Sequence, residues 1–226
     1  VLAGQEGRHA STVRRLTPGE RADITDGAGA VAECVVTAVR PAELELTVLA
    51  RRTDQRPEPR VAVLQAIPKG DRGELAVELL TEVGADIIVP WAADRCVAVW
   101  RGDRAAKSRA RWNSAAEQAA KQSRRAWFPE VTDQADLAAA ARRVGAAALA
   151  IVLDPDASES VSTVQLPASG EIVLIVGPEG GISPAETETL RAAGAVPVRL
   201  GPTVMRTSSA GAVAAGILLS RSSRWI

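Results

Sequence analysis

Tyrosine is absent from this chain of 226 residues, and phenylalanine and histidine occur once each. Aromatic stacking is left to five Trp and Phe128. A Ser-His-Asp hydrolase would have only His9 to use, outside the part of the chain that reads as α/β. The two cysteines, Cys34 and Cys96, lie far apart without CxxC spacing. That argues against a disulfide scaffold or a zinc site and suits a reduced, cytoplasmic protein. Long hydrophobic runs are missing too. The longest uncharged apolar stretch, Thr207 to Ser220, has 14 residues, too few to span a bilayer. No signal-peptide pattern is visible, and a chain opening on Val1 is expected to be numbered from a trimmed N-terminus. What is present is a 46% apolar composition, enough for a real core.

Net charge is zero, but the charges are segregated. Residues 95–125 hold nine Lys/Arg (Arg95, Arg101, Arg104, Lys107, Arg109, Arg111, Lys121, Arg124, Arg125) against Asp103 and Glu117. Residues 126–198 hold three Arg and ten acids. Such a basic segment is either a phosphate-binding face or a solvated helix face with its counter-charges elsewhere.

Residues 1–50 read as β. Val31–Val39 and Leu44–Leu49 alternate with period 2, and Asp26-Gly27 marks a turn before them, which suggests a small barrel or sandwich. The polar, proline-bearing run Arg51–Pro59 reads as a linker, giving a first domain over 1–52, a linker over 53–60 and a second domain over 61–226. From Val61 the pattern changes. Val61–Ile67 is nearly continuous apolar, as in a strand covered on both faces. Helical spacing follows over Gly73–Val83, a strand over Asp86–Val89, and a long basic helix over Arg104–Arg125 ended by Pro129. A helix over Asp136–Val144 precedes strands over Ala147–Leu153 and Ile172–Val176. Then come a helix over Pro184–Ala193, a strand over Val196–Leu200 and a final apolar helix. Alternating strands and helices predict an α/β fold with a mainly parallel sheet.

Two strand-to-helix loops stand out. Ile175–Ser183 contains Gly177-Pro178-Glu179-Gly180-Gly181, and the second loop is Leu200-Gly201-Pro202-Thr203-Val204-Met205-Arg206-Thr207. The first is neither a Walker A loop nor a GxGxxG fingerprint. It reads either as a tight turn before a capping box, Ser183-Pro184-Ala185-Glu186, or as a cradle for a nucleotide-like ligand. Thr207, Ser208 or Ser209 could cap the last helix, and Met205-Arg206 puts an apolar side chain and a cation at the same mouth.

This pair of loops resembles the cofactor site of the SPOUT RNA methyltransferases, specifically the family that methylates N3 of a uridine in 16S ribosomal RNA. Pro68-Lys69-Gly70-Asp71-Arg72, Thr81-Glu82-Val83-Gly84, Glu117-Gln118, Ser123-Arg124, His9 and Val13-Arg14-Arg15 agree with the same family. The resemblance implies a PUA-like β-barrel domain followed by a SPOUT-type, mainly parallel sheet with a C-terminal trefoil knot. It implies S-adenosylmethionine as cofactor, a homodimer, and 16S rRNA in the 30S subunit as partner, with no membrane and no metal. Val176, Gly177, Glu179, Gly180, Gly181, Leu200, Gly201, Met205, Thr207 and Ala210 are then expected to line the cofactor pocket. Arg206 is the candidate cation for a developing uracil anion, or else a contact to an RNA phosphate or a carboxylate. Glu179 is the candidate proton acceptor, or a group that fixes the loop or the cofactor's ammonium. Arg14, Arg15, Lys69, Arg72, Arg109, Arg111, Gln118 and Arg124 are candidates for RNA binding, with Trp112 or Trp127 available to stack. Neither cysteine is expected to be a nucleophile of the kind that methylation at uracil C5 uses, which leans the target to nitrogen. Ser208 stands where the family often has an acid. That departure leaves room for a non-catalytic RNA-binding assembly factor, or for a SPOUT enzyme acting on another RNA.

Overall fold

The computed structural model describes residues 1–225, which divide into two compact units, one over Val1–Arg56 and one from Pro57 onward.

In the first unit, β1 (Arg21–Thr25), β2 (Ala30–Arg40) and β3 (Glu43–Thr53) form an antiparallel sheet in the order β1-β2-β3. The expected β pattern holds from Arg21 onward. Before it the chain is helical, with α1 over Gly4–Arg8 followed by a π-helical turn over His9–Val13. Gly7 lets this helix close on the sheet, since a Cβ there would lie 2.5 Å from the carbonyl oxygens of Leu2 and Ala42. Leu2 adds an antiparallel bridge to Leu44, and Ala10, Val36 and Leu44 form a small core. The hydrogen-bonded strands number three rather than a closed barrel's set. Arg51–Thr53, read as linker, belongs to β3 and pairs with Ala30–Ala32.

The second unit is built on six parallel strands in the order β6-β5-β4-β8-β7-β9. They are β4 (Arg60–Ala66), β5 (Ile87–Trp91), β6 (Glu130–Val131), β7 (Leu149–Leu153), β8 (Glu171–Val176) and β9 (Val196–Val198). The helices are α2 (Arg72–Val83), α3 (Asp103–Gln122), α4 (Leu137–Ala146), α5 (Pro184–Ala192) and α6 (Thr207–Ser220). Successive side chains of a strand point to opposite faces, and the core follows that rule. Val61, Val63, Leu174 and Val176 pack with α2, α3 and α6 residues such as Leu80, Trp112 and Leu218. Ala62, Leu64, Val173 and Ile175 pack with Ala140 and Val144 of α4 and Leu190 of α5.

The basic helix ends earlier than expected, at Gln122 rather than at Arg125 ahead of Pro129. Arg124 adopts φ +55°, with Arg124 N donating to Lys121 O and Arg125 N to Ala120 O. These are the two bonds of a Schellman stop, here with arginine at the left-handed position that usually takes glycine. The turn sends Arg125 inward. Its guanidinium donates to the carbonyls of Thr81 (2.9 Å) and Ala85 (2.6 Å) and faces Asp86 at 3.4 Å. Arg224 reaches the same carboxylate at 2.6 Å, and Asp86 also accepts Val61 N at 2.8 Å. Burial lowers the Arg125 pKa; Asp86 opposes that shift and Arg224 adds to it.

Candidate functional site

Because all six strands run parallel, the loops after β4, β5, β8 and β9 leave from the same edge of the sheet. In open α/β sheets, ligands bind at this edge, outside the carboxyl ends of the strands. β4 and β8 are neighbours at the centre, and their last paired residues are Gln65 and Val176.

The glycine loop starts at Val176, which is 2% exposed. Gly177 packs so closely that a Cβ would meet Ile182 Cγ1 at 2.7 Å. Gly181 has φ +74°, a backbone conformation natural to glycine. The capping box forms as expected. Ser183 Oγ accepts Glu186 N at 3.3 Å, and Glu186 Oε2 accepts Ser183 N at 2.8 Å. Glu186 is only 1% exposed, and its second oxygen accepts Asp94 N at 2.7 Å. Ser183 Oγ in turn donates to Asp94 Oδ2 at 3.0 Å, and Arg95 Nη1 donates to Gly180 O at 3.0 Å. The loop after β5 is thus latched onto the glycine loop.

The other two loops join it. Glu179 is exposed and accepts Lys69 N at 3.4 Å, which ties the loop after β4 to the glycine loop. Thr207 does not cap α6, whose N-cap, Arg206, is extended with no side-chain cap. Instead its hydroxyl donates to Gly177 O at 3.1 Å, because the first turn of α6 lies against the end of β8. Leu200 packs against the core, Gly201 has no atom within 4 Å of where a Cβ would sit, and Ala210 is buried. Met205 and Arg206 are exposed. Ser208, in the acid's place, is buried at 4% exposure.

The structure therefore brings together the loop of Val176, Gly177, Glu179, Gly180 and Gly181, the loop of Lys69, and Thr207. Gln65, Asp94, Arg95 and Glu186 complete the network and were not among the expected site residues. Gln65 had a sequence signal, a lone amide inside an apolar strand; Asp94 and Arg95 had none beyond charge.

The expected RNA-binding residues scatter more widely. Arg14 and Arg15 are exposed in the first unit. Arg111 and Gln118 are exposed on α3 two turns apart, and Arg124 is exposed beyond its end. Arg72, half-buried, opens α2. Arg109 is already ion-paired with Asp133. Trp112 cannot stack on a base, being 2% exposed and set edge-to-face against Trp100 at 4.9 Å. Trp127 is half-buried. Cys34 is buried, and Cys96 lies half-buried beside the site. Burial pushes the Cys96 thiol pKa up; the amides of Ile67 and Ala93 oppose the shift, and the charges of Glu179 and Glu186 reinforce it. Among the described residues no group of three His, Cys, Asp or Glu could hold a metal, and no helix is long and apolar enough to cross a membrane.

A model of the RNA methyltransferase domain matches residues 55–219, and one of the RNA methyltransferase PUA domain matches residues 2–49. The chain is 46% identical to ribosomal RNA small subunit methyltransferase E of Mycobacterium bovis, over 100% of this chain and 87% of the relative. It is 29% identical to the Bacillus subtilis protein of that name, over 92% of this chain and 85% of the relative. The crystal structure of ribosomal RNA small subunit methyltransferase E from Neisseria gonorrhoeae bound to S-adenosyl methionine matches with a TM-score of 0.83. The two are 27% identical, over 96% of this chain and 89% of that one.

Proposed function

The chain belongs to the RNA methyltransferase family, and on that premise we propose that it is an S-adenosylmethionine-dependent methyltransferase. Its product is 3-methyluridine in 16S rRNA of the small ribosomal subunit. The observation that carries this reading is the junction of the two loops through Thr207 Oγ1 and Gly177 O at 3.1 Å, at the central strand ends where an α/β sheet takes its ligand. The residues there fit a nucleoside-bearing cofactor. Gly177, Gly180 and Gly181 carry no side chains over the backbone groups of their loop, and Gly201 leaves open space where a Cβ would stand.

S-adenosylmethionine supplies an electrophilic methyl when bound. The chain's own groups must hold uracil N3 in line with it and take its proton. Glu179 takes the N3 proton and passes it to water, and N3 bonds to the methyl as the cofactor's sulfonium S–CH3 bond breaks, with S-adenosylhomocysteine as the leaving group. Arg206, exposed at the head of α6, stabilises the negative charge that builds on the uracil oxygen. Lys69 N holds Glu179 at the mouth. Leu200, Met205 and Ala210 furnish apolar walls. Lys69, Arg72, Arg111, Gln118 and Arg124 of the second unit, and Arg14 and Arg15 of the first, bind phosphate and sugar. Arg109 takes part once released from Asp133.

The proposal includes the trefoil knot that the family resemblance implies, a homodimer, and a cytoplasmic location. Val204 (83%) and Met205 (38%) of the second loop and Val213 (39%) of α6 are exposed large apolar side chains, which a partner subunit would cover. The deciding assay is transfer of labelled methyl to 30S particles lacking the modification, with nucleoside analysis. 3-Methyluridine is expected. No transfer from a folded dimer, to particles or to naked 16S RNA, sinks the reading. Arg206→Ala and Glu179→Gln should each lower turnover about a hundredfold at saturating RNA. Wild-type turnover in either variant removes that residue's role.

A further inference from the structure

Gln65 is the one polar side chain in the apolar run Val61–Ile67, and it is 0% exposed. Its Nε2 donates to Ala66 O at 3.0 Å and to Thr207 O at 3.2 Å. Its Oε1 is buried and has no hydrogen-bond partner among the described residues. An unpaired buried acceptor is destabilising, and an apolar side chain of the same size would avoid that cost. Stability alone therefore does not account for an amide here.

Position does. Thr207 is gripped twice, its carbonyl by Gln65 and its hydroxyl by Gly177 O. The helix above is cut away to allow it. A Cβ at Gly211 would lie 3.3 Å from Gln65 Oε1 and 3.1 Å from Val176 Cγ2. β4, the glycine loop and the first turn of α6 are thus joined through one amide and one hydroxyl. We infer that Gln65 is a positioning residue, acting through Thr207 to fix the separation of the two loops that form the cofactor site. The inference rests on the proposed reading of that site.

The experiment compares Gln65→Met, Thr207→Val and the double variant with the wild-type chain. Hydrogen exchange of the ligand-free protein reads the loops directly, and calorimetry with S-adenosylmethionine reads the consequence. In Gln65→Met the amides of residues 177–183 and 207–210 should exchange about tenfold faster, while those of β7 stay unchanged. Affinity for S-adenosylmethionine should fall about tenfold. KM for the cofactor should rise in step, with kcat at saturation and RNA affinity preserved. Thr207→Val should speed exchange in the same two segments, and the double variant should exchange no faster there than either single one. Unchanged loop exchange in Gln65→Met overturns the inference. So does faster exchange throughout the unit, β7 included, which would make Gln65 a packing residue. A wild-type chain that fails to bind S-adenosylmethionine sinks the proposed function instead, and loop exchange alone then decides the role of Gln65.

Discussion

Changing Glu186 to Gln alters one atom of a side chain that is 1% exposed. Its two carboxylate oxygens are both committed, to Asp94 N at 2.7 Å and Ser183 N at 2.8 Å. An amide can accept from only one of them and points an N–H2 at the other donor. One bond to a charged acceptor is therefore lost, a loss of about 1.5–3 kcal/mol. For a chain of this size, 1 kcal/mol moves the melting temperature by about 2–4 °C. The expected fall is thus about 3–12 °C by differential scanning fluorimetry. The damage should also be local. Asp94 and Ser183 join the loop after β5 to the glycine loop, so the amides of residues 92–96 and 180–183 should lose exchange protection before those of β4 and β8. A variant that melts with the wild type and exchanges like it in both segments would refute the argument that this carboxylate holds the two loops together.

Three further outcomes are expected. Asp86→Asn leaves two part-buried guanidiniums, Arg125 and Arg224, without their buried counter-charge; it should cost about 3–5 kcal/mol in denaturant unfolding, and a loss under about 1 kcal/mol counts against the network. Cys96, its thiol pKa raised chiefly by burial, holds less thiolate at a given pH than an unfolded chain. Its iodoacetamide labelling should therefore turn on at higher pH in the native protein, and coincident profiles contradict this. Charge reversal at Arg111 and Arg124 should weaken RNA binding and flatten its salt dependence by about 0.7–0.9 for each phosphate left without its arginine, and an unchanged slope places the RNA face elsewhere; reversal at Arg109, already paired with Asp133, should matter less.

Much of the second unit was legible because its signals are local. Val61–Ile67 is apolar on both alternating faces, as a central parallel strand must be, and it lies between β5 and β8. Ser183-Pro184-Ala185-Glu186 carries its capping box in four consecutive residues, and the box forms. The glycines of residues 177–181 announce a loop that a backbone or ligand can approach. The helix over Gly4–Val13 was not legible, because two glycines and a mixed polar run show no helical period. It exists because Gly7 can rest against the carbonyls of Leu2 and Ala42. The end of α3 was misplaced for a related reason, since Arg124 accepts a left-handed turn that lets Arg125 reach Thr81, Ala85 and Asp86.

The site divides along the same line. Residue order alone determined where the two loops lie and which groups they carry, since turn chemistry and helix capping act over three or four residues. Only the tertiary structure decided that Thr207 spends its hydroxyl on Gly177 rather than on its own helix, and that Gln65 bonds a carbonyl 142 positions away. Those partners become neighbours only when β4 pairs with β8 and α6 packs over both. Periodicity records which face of an element is buried; it carries no record of which polar group waits across that face to meet it.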